Sequence, residues 1–325
     1  MTEQLSNGYD VVVIGGGAAG LEGALMLARS RRSVLVIDAG EPRNAPAEGV
    51  HGFLSRDGIA PAELTRIGAD EVRRYGGEVV EARVSDVRRG DSEFSVLLAD
   101  GRSVDARRVL VTTGLVDELP DVPGVRERWG RDVLHCPYCH GWEINDEPVG
   151  VLGTGPMSVH QALMFRQWTD DVTLFLHTAP EPSDAEREQL SARGVRVVTG
   201  RVASLVIDDD RLTGVRLDDG TVVARRALVV APRFVARVDA LTSLGLETEL
   251  EPMSGGRFVP ADWSGLTKVP GLWVAGNVTD VKAQVLAAAA SAATAAVAIN
   301  NDLIAEDTER AVAERRAQNQ KGSQK

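Results

Sequence analysis

Residues 9–38 read YDVVVIGGGAAGLEGALMLARSRRSVLVID and decide the fold of the first part of the chain. An apolar strand leads into a glycine turn (Gly15, Gly17, Gly20), a helix follows, and a second apolar strand ends at Asp38. This order is typical of a dinucleotide-binding βαβ unit. The glycines let the backbone approach a pyrophosphate at the helix N-terminus, and the acid accepts hydrogen bonds from ribose hydroxyls. The stretch therefore predicts a nucleotide-binding α/β domain.

The same unit occurs a second time, in residues 149–176. Its strand and first two glycines are present (Gly153, Gly155), but Ser158 replaces the third glycine and Leu176 stands where the acid would be. No arginine follows directly to hold a 2'-phosphate. The sequence therefore predicts a second Rossmann-like fold that lacks the groups with which such folds grip NAD(H) or NADP(H).

Length and composition fit two acidic globular domains. The chain has 325 residues, of which 43% are apolar, and 36 Lys and Arg against 47 Asp and Glu give a net charge of -11. A nucleic-acid partner is disfavoured because phosphate attraction needs a basic face. The alanine-rich stretch 283–299 is too weakly apolar for a membrane span, and it predicts a buried helix. The first ten residues show no signal-peptide pattern, so we expect a cytoplasmic protein with no membrane partner.

Both cysteines of the chain lie in the motif HCPYCH at residues 135–140. The spacing is compatible with a c-type haem, a zinc site or a redox disulfide. Haem attachment requires export, and structural zinc usually takes a second ligand pair further along the chain. A redox disulfide fits best, because amide donors at a helix start stabilise a thiolate and a neighbouring histidine can exchange its proton. We therefore expect Cys136, Cys139 and His140 to be catalytic, and we expect no metal.

The order of these motifs, with TTG at 112–114 and GLWVAGNVTD at 271–280, resembles the low-molecular-weight thioredoxin reductase family of flavoproteins over nearly the whole chain. The resemblance implies an α/β fold of two Rossmann-like (three-layer ββα) nucleotide-binding domains, the second inserted in the first. Residues 1–116 and 237–325 would form the FAD domain, with a disordered tail after about residue 306. Residues 117–236 would form the NAD(P)H-type domain that carries the disulfide.

The resemblance also implies which residues contact cofactors. Those expected at FAD are Gly15, Gly17, Ala19, Gly20, Asp38, Arg43, Asn44, His51, Val84, Gly114, Gly276, Asn277 and Gln284. Those expected at a nicotinamide nucleotide, if one binds, are Gly153, Gly155 and Ser158. A homodimer is expected on the same ground.

The chain departs from the reductase pattern around its disulfide. Reductases carry Asp after the second cysteine, where this chain has His140, and His-Arg-Arg where it has HTA at 177–179. The motif CPYCHGWE, together with Arg43, Asn44 and HGFLSRDG at 51–58, is similar to the dithiol oxidases of gliotoxin and holomycin biosynthesis. The leading hypothesis is therefore a FAD-dependent enzyme that closes a disulfide in a small-molecule dithiol and passes the electrons to dioxygen, giving hydrogen peroxide.

Two other functions stay open. One is an NAD(P)H-dependent reductase acting on a thioredoxin-like protein or a small disulfide. The other is a FAD-binding redox sensor without turnover. In the oxidase hypothesis, a substrate thiolate attacks Cys136, the second substrate thiol resolves the mixed disulfide, and Cys139 faces the flavin with His140 as acid and base.

Overall fold

The chain is described by a computed structural model covering residues 5–6, 8–252 and 254–322. Its strands are β1 (Gly8–Ile14), β2 (Val34–Asp38), β3 (Glu78–Glu81), β4 (Val84–Arg89), β5 (Phe94–Leu98), β6 (Ser103–Val111), β7 (Leu115–Glu118), β8 (Val133–Leu134), β9 (Val149–Leu152), β10 (Val172–Phe175), β11 (Arg196–Val198), β12 (Val202–Asp208), β13 (Arg211–Leu217), β14 (Val222–Ala224), β15 (Ala227–Val229), β16 (Arg233–Ala236), β17 (Glu249–Leu250), β18 (Arg257–Phe258) and β19 (Leu272–Val274). Its α-helices are α1 (Ala18–Arg29), α2 (Pro61–Arg74), α3 (Val125–Arg128), α4 (Pro137–His140), α5 (Ser158–Phe165), α6 (Asp184–Ala192) and α7 (Val285–Gly322). Short 3₁₀ helices lie at Trp142–Ile144, Asp239–Leu244 and Gly276–Val278.

The first sheet has the parallel order β3-β2-β1-β6-β19 and continues from β6 into the antiparallel strands β5 and β4. The run Val11–Ile14 in β1 is buried on both faces, as expected for a central parallel strand. Val11 and Val13 face α1 and α7, whereas Val12 and Ile14 face the layer that contains β4 and β5. The result is three layers, with helices on one side and a small antiparallel sheet on the other.

The second sheet, β11-β10-β9-β15-β8, is parallel throughout and lies between α5 and α6 on one side and the antiparallel sheet β12-β13-β14 on the other. All its strands come from the stretch between β6 and β19, so the second unit is inserted in the first. The predicted fold class, two Rossmann-like units with one inserted in the other, is confirmed. Each unit contains the predicted strand, turn and helix, with β1 and α1 in the first and β9 and α5 in the second.

The two connections between the sheets pair with each other. Strand β7 leads out of the first unit, β16 leads back, and they run antiparallel with Leu115 opposite Ala236. Strands β18 and β17 extend this linker sheet. Because both crossings lie side by side, they set the orientation of the disulfide-bearing unit relative to the first glycine turn.

Helix α7 is longer than the sequence analysis expected. The alanine-rich helix predicted for 283–299 begins at Val285 and is buried on one face only, through residues such as Ala292, Ala295 and Ile299. The tail expected to be disordered after about residue 306 is helical to Gly322. Ion pairs to the first sheet hold the part of α7 around residue 306. Arg107 of β6 contacts Glu306 at 2.8 Å and Asp307 at 2.7 Å. Residues 323–325 lie outside the described part of the chain. In the described ranges, no helix is both long and apolar enough to cross a bilayer.

Candidate active site

The structure places the first glycine turn and the two cysteines in the wall of a single cavity of about 970 Å³. Gly15, Gly17 and Asp38 line it, and so do Cys136 and Cys139. The cavity therefore joins the predicted nucleotide site to the predicted redox site.

The glycine turn is shaped by close backbone packing. Gly15 has φ +107°, and a Cβ there would lie 2.6 Å from the carbonyl oxygen of Thr112. A Cβ at Gly20 would lie 1.8 Å from the carbonyl oxygen of Gly15, which no backbone adjustment of a few tenths of an ångström would relieve. Gly17, the N-cap of α1, has nothing within 4 Å of its Cβ position and borders the open cavity. Two glycines therefore form the turn, and the third leaves room for a ligand at the helix N-terminus.

The carboxylate at the end of β2 is oriented by this turn. The Gly16 amide donates a hydrogen bond to Asp38 Oδ1 at 2.9 Å, and Asp38 lines the cavity. This is the arrangement expected for an acid that accepts hydrogen bonds from ribose hydroxyls.

Most of the other residues predicted to contact FAD also line this cavity. They are Ala19, Arg43, Asn44, His51, Val84, Gly114, Asn277 and Gln284. Gly20 and Gly276 are not part of the wall. Gly20 is required where α1 packs on its own turn, and a Cβ at Gly276 would lie 3.0 Å from the Ala19 side chain, so both act through packing.

Arg43 has protein partners that the sequence did not reveal. Its guanidinium donates two hydrogen bonds to Asp117, with N–O distances of 2.8 and 2.7 Å, and a third to Asn277 Oδ1 at 3.3 Å. It also lies over the ring of Phe234, with 5.2 Å to the centroid. Asp117 is in β7 and Phe234 in β16, so Arg43 ties the cavity wall to both linker strands.

Cys136 and Cys139 form a disulfide bond. Cys136 is the N-cap of α4, and its carbonyl accepts hydrogen bonds from the amides of Cys139 and His140. Gln284, which directly precedes α7 in the other unit, points its side-chain Nε2 at both sulfurs, 3.9 Å from each. The first unit therefore reaches the disulfide through a neutral hydrogen-bond donor.

His140 directly follows Cys139 and is half-buried. Its Nε2 is buried without a hydrogen-bond partner within the described residues. Burial lowers the pKa of His140, Glu143 opposes that effect, and His51 adds to it. A neutral imidazole with an unoccupied nitrogen can accept a proton from a thiol, which suits the predicted role as acid and base.

Glu143 is a site residue that sequence analysis missed. Its Oε1 lies 3.2 Å from His51 Nε2, and His51 Nδ1 lies 3.6 Å from Asp57 Oδ2. His51 belongs to the first unit and Glu143 to the second, so this contact also joins the two. The sequence HGWE shows a glutamate after the cysteines, but no local pattern indicates that His51, far away in sequence, is its partner.

In the second glycine turn, a side-chain hydroxyl binds two backbone amides. The Ser158 hydroxyl accepts hydrogen bonds from the amides of Thr154 and Gly155, at 3.2 and 3.3 Å, and donates one to the Gly155 carbonyl at 2.7 Å. The Gly16 amide, which corresponds to that of Thr154, is likewise bound in the first turn, by Asp38, so the engaged Gly155 amide is the feature of the second turn. Leu176 is buried, and His177 Nδ1 accepts from the Val202 amide at 3.0 Å.

Comparison with known proteins gives concordant results. The profile of the pyridine nucleotide-disulphide oxidoreductases matches residues 9–296. Thioredoxin reductase sirT of Leptosphaeria maculans is 30% identical over 316 residues, which cover 92% of this chain and 95% of that protein. The crystal structure of HlmI is 51% identical, with a TM-score of 0.88 and coverage of 96% of this chain and 97% of that one. An oxidoreductase from Agrobacterium tumefaciens is 37% identical, with a TM-score of 0.85 and coverage of 91% and 98%.

Proposed function

Because the chain belongs to the pyridine nucleotide-disulphide oxidoreductase family, we propose that it is a dithiol oxidase, which closes a disulfide in a small-molecule dithiol. It is a thioredoxin reductase-like flavoenzyme that acts on sulfur groups. The observation that carries the proposal is that the Cys136–Cys139 disulfide and the first nucleotide turn share one cavity. Electrons taken from a thiol at the disulfide can therefore reach a cofactor at the first glycine turn within that cavity.

The cavity fits FAD. Gly17 leaves open space at the N-terminus of α1, Asp38 is held toward the same space, and Gly114, with φ +70°, has nothing within 4 Å of its Cβ position. FAD held by these residues would supply a two-electron oxidant for the Cys136 and Cys139 thiols, and in the proposed oxidase dioxygen would take up the electrons and give hydrogen peroxide.

The protein groups perform the thiol exchange. A substrate thiolate attacks Cys136 Sγ, the bond to Cys139 breaks, and Cys139 leaves as a thiolate. The second substrate thiol then attacks the mixed disulfide, the substrate disulfide closes, and Cys136 is released. In total the substrate loses two electrons and two protons. The neutral imidazole of His140 accepts a proton from an attacking thiol, and the Gln284 amide donates to the thiolate that forms.

The second turn supports the oxidase over the NAD(P)H-dependent reductase. Ser158 binds the amides of Thr154 and Gly155 in the glycine turn, and the Leu176 side chain offers no hydrogen-bond acceptor for a ribose. The similarity to HlmI agrees with the branch that the motifs indicate.

Anaerobic mixing tests the direction of electron flow. The flavin absorbance of the holoenzyme is followed by stopped flow after adding dithiothreitol in one experiment and NADPH or NADH in another. Rapid bleaching by the dithiol, followed in air by one hydrogen peroxide per dithiol consumed, is expected. Rapid bleaching by a nicotinamide nucleotide, with reduction of a thioredoxin-like protein, would establish the reductase instead. Stable flavin with both, and no turnover with any thiol, would point to the sensor.

The domain boundaries, assembly and location are proposed as follows. The pairing of β7 with β16 supports domain boundaries near 116/117 and 236/237, because both crossings between the sheets occur there. A homodimer and a cytoplasmic location stay predictions. Light scattering of the purified holoenzyme measures the first, and fractionation of cells measures the second.

A further inference from the structure

The stretch between β2 and α2 in the first unit contacts the inserted unit at two points. The first contact is apolar: Gly130 has φ +79°, and a Cβ there would lie 2.7 Å from the Pro46 Cβ. The second contact joins His51 Nε2 to Glu143 Oε1 at 3.2 Å, just beyond the motif that carries the cysteines. The apolar contact has no group that can change its charge, whereas the second contact has two.

The loop around His51 holds the imidazole ring in place. A Cβ at Gly49 would lie 3.1 Å from His51 Nε2, so the backbone at this position packs against the ring and leaves little room for a side chain. On the other side of the ring, the Asp57 carboxylate accepts a hydrogen bond from the Gly52 amide at 2.8 Å. The ring and the carboxylate beside it are therefore both oriented by the loop itself.

His51 lies between two carboxylates that belong to different units. Its Nε2 faces Glu143, and its Nδ1 lies 3.6 Å from Asp57 Oδ2. A protonated imidazole donates from both nitrogens, whereas a neutral imidazole donates from one and turns a lone pair toward the other partner. Burial lowers the pKa of His140, Glu143 raises it and His51 lowers it, so His140 is the other titratable group that faces this pair. A neutral His140 leaves the charge of Glu143 available to His51.

We propose that His51 and Glu143 form a pH-dependent latch, which holds the disulfide turn, our name for residues 136–144, against the first unit when His51 is protonated and releases it when His51 is neutral. The His51 and Glu143 side chains are 26% and 39% exposed, so solvent protons reach the pair. Among the described residues, Glu143 is not part of the cavity wall. It is therefore a positioning residue, which acts on Cys136 and Cys139 by fixing the turn that carries them. The latch serves an oxidase and a reductase alike.

The test measures how readily an uncharged reductant, tris(3-hydroxypropyl)phosphine, reduces the disulfide of the holoenzyme without air. The rate, followed by alkylation and mass spectrometry, is expressed as the ratio of Glu143→Gln to wild type, which cancels the pH dependence of the phosphine. Because the substitution removes one partner of a partly exposed ion pair, the ratio should be about three at pH 6 and about one at pH 8. Glu147→Gln, at an exposed glutamate shortly after the turn, is the matched control and should give a ratio of about one at both.

Hydrogen exchange supplies a readout that crosses between the units. At pH 6, amides of the loop 49–58 should exchange about threefold faster in Glu143→Gln than in the wild type, although the substitution lies in the other unit. At pH 8, after correction for intrinsic rates, the two proteins should exchange equally. His51→Lys carries its charge at both pH values, so it should protect the loop equally at both.

Equal rates in the wild type and Glu143→Gln at pH 6 would overturn the latch. A difference of the same size at pH 6 and pH 8 would also overturn it, because that effect of Glu143 would not involve protonation of His51. Neither measurement depends on which substrate reduces the flavin. The anaerobic experiment with dithiothreitol and NADPH can therefore refute the proposed function while the latch is retained, and the reverse.

Discussion

Replacing Gln284 with Ala should raise the pKa of the thiol that forms when the disulfide opens. The Gln284 Nε2 lies 3.9 Å from each sulfur and is the side-chain donor that the structure places against both. A hydrogen bond to a charged group contributes about 1.5–3 kcal/mol, and at this long distance we take the lower end. That energy corresponds to roughly one pKa unit, or about 30 mV in a two-electron potential.

The measurement uses the reduced protein. Alkylation of Cys136 and Cys139 by iodoacetamide is followed by mass spectrometry between about pH 5 and pH 10, and titration against a glutathione buffer gives the potential. Gln284→Ala should move the more acidic thiol up by about one pH unit. It should also make the disulfide about 30 mV harder to reduce, because the thiolate form loses its donor.

Two further variants separate this effect from a structural one. Gln284→Glu has nearly the same size but places a negative charge beside the thiolate, so it should raise the thiol pKa more than Ala does. Gln167→Ala, at an exposed position of the inserted unit, should change neither quantity. Equal thiol pKa values in the wild type, Gln284→Ala and Gln284→Glu would show that the contact has no electrostatic role.

Three further predictions concern the cofactor turn, His140 and helix α7. Gly20→Ala should abolish FAD retention while leaving a folded inserted unit, because the new Cβ would lie 1.8 Å from the Gly15 carbonyl oxygen; yellow protein after purification would contradict this. Burial lowers the pKa of His140 in the folded state, so as the pH falls the imidazole takes up its proton more readily in the unfolded state. The free energy of unfolding should therefore decrease below about pH 6.5. His140→Gln should lessen that decrease, measured by urea melts from pH 7 to pH 5. Arg107, 14% exposed, joins the first sheet to α7, so Arg107→Ala should cost about 1–3 kcal/mol and speed hydrogen exchange beyond residue 306. Arg310→Ala removes only a pair within α7 and should cost less than about 0.5 kcal/mol, so equal losses in the two variants would show that α7 is not held through Arg107.

The cofactor turn could be predicted because its signal is local. The strand, glycines, helix and acid lie within residues 9–38. The atoms that a Cβ at position 15 or 20 would meet belong to the same turn or to the end of the adjacent strand. The CxxC pair was also local, and its disulfide is present. Asp38 lies where a βαβ unit places such an acid, and it accepts a hydrogen bond from the Gly16 amide of the turn.

Several partners could not be predicted because they are distant in sequence. Gln284 is 148 residues from Cys136, and Arg43 is 74 residues from Asp117. Tertiary contacts between the two units, among them the pairing of the linker strands β7 and β16, bring these elements together. The tail was misjudged for the same reason, since its charged composition suggested disorder and its ionic partners lie about 200 residues earlier in β6.

The sequence alone determined two Rossmann-like units and a CxxC sulfur pair, through hydrophobic periodicity and glycine spacing. The first unit has the complete nucleotide-binding turn, and the second lacks the third glycine and the acid. These features follow from backbone sterics and hydrogen bonding within some thirty residues. The orientation of the units was decided only by tertiary structure, which places the sulfurs in the wall of the nucleotide cavity and the Gln284 amide against them. Contacts of this kind depend on packing between distant segments, which leaves no periodic trace along the chain.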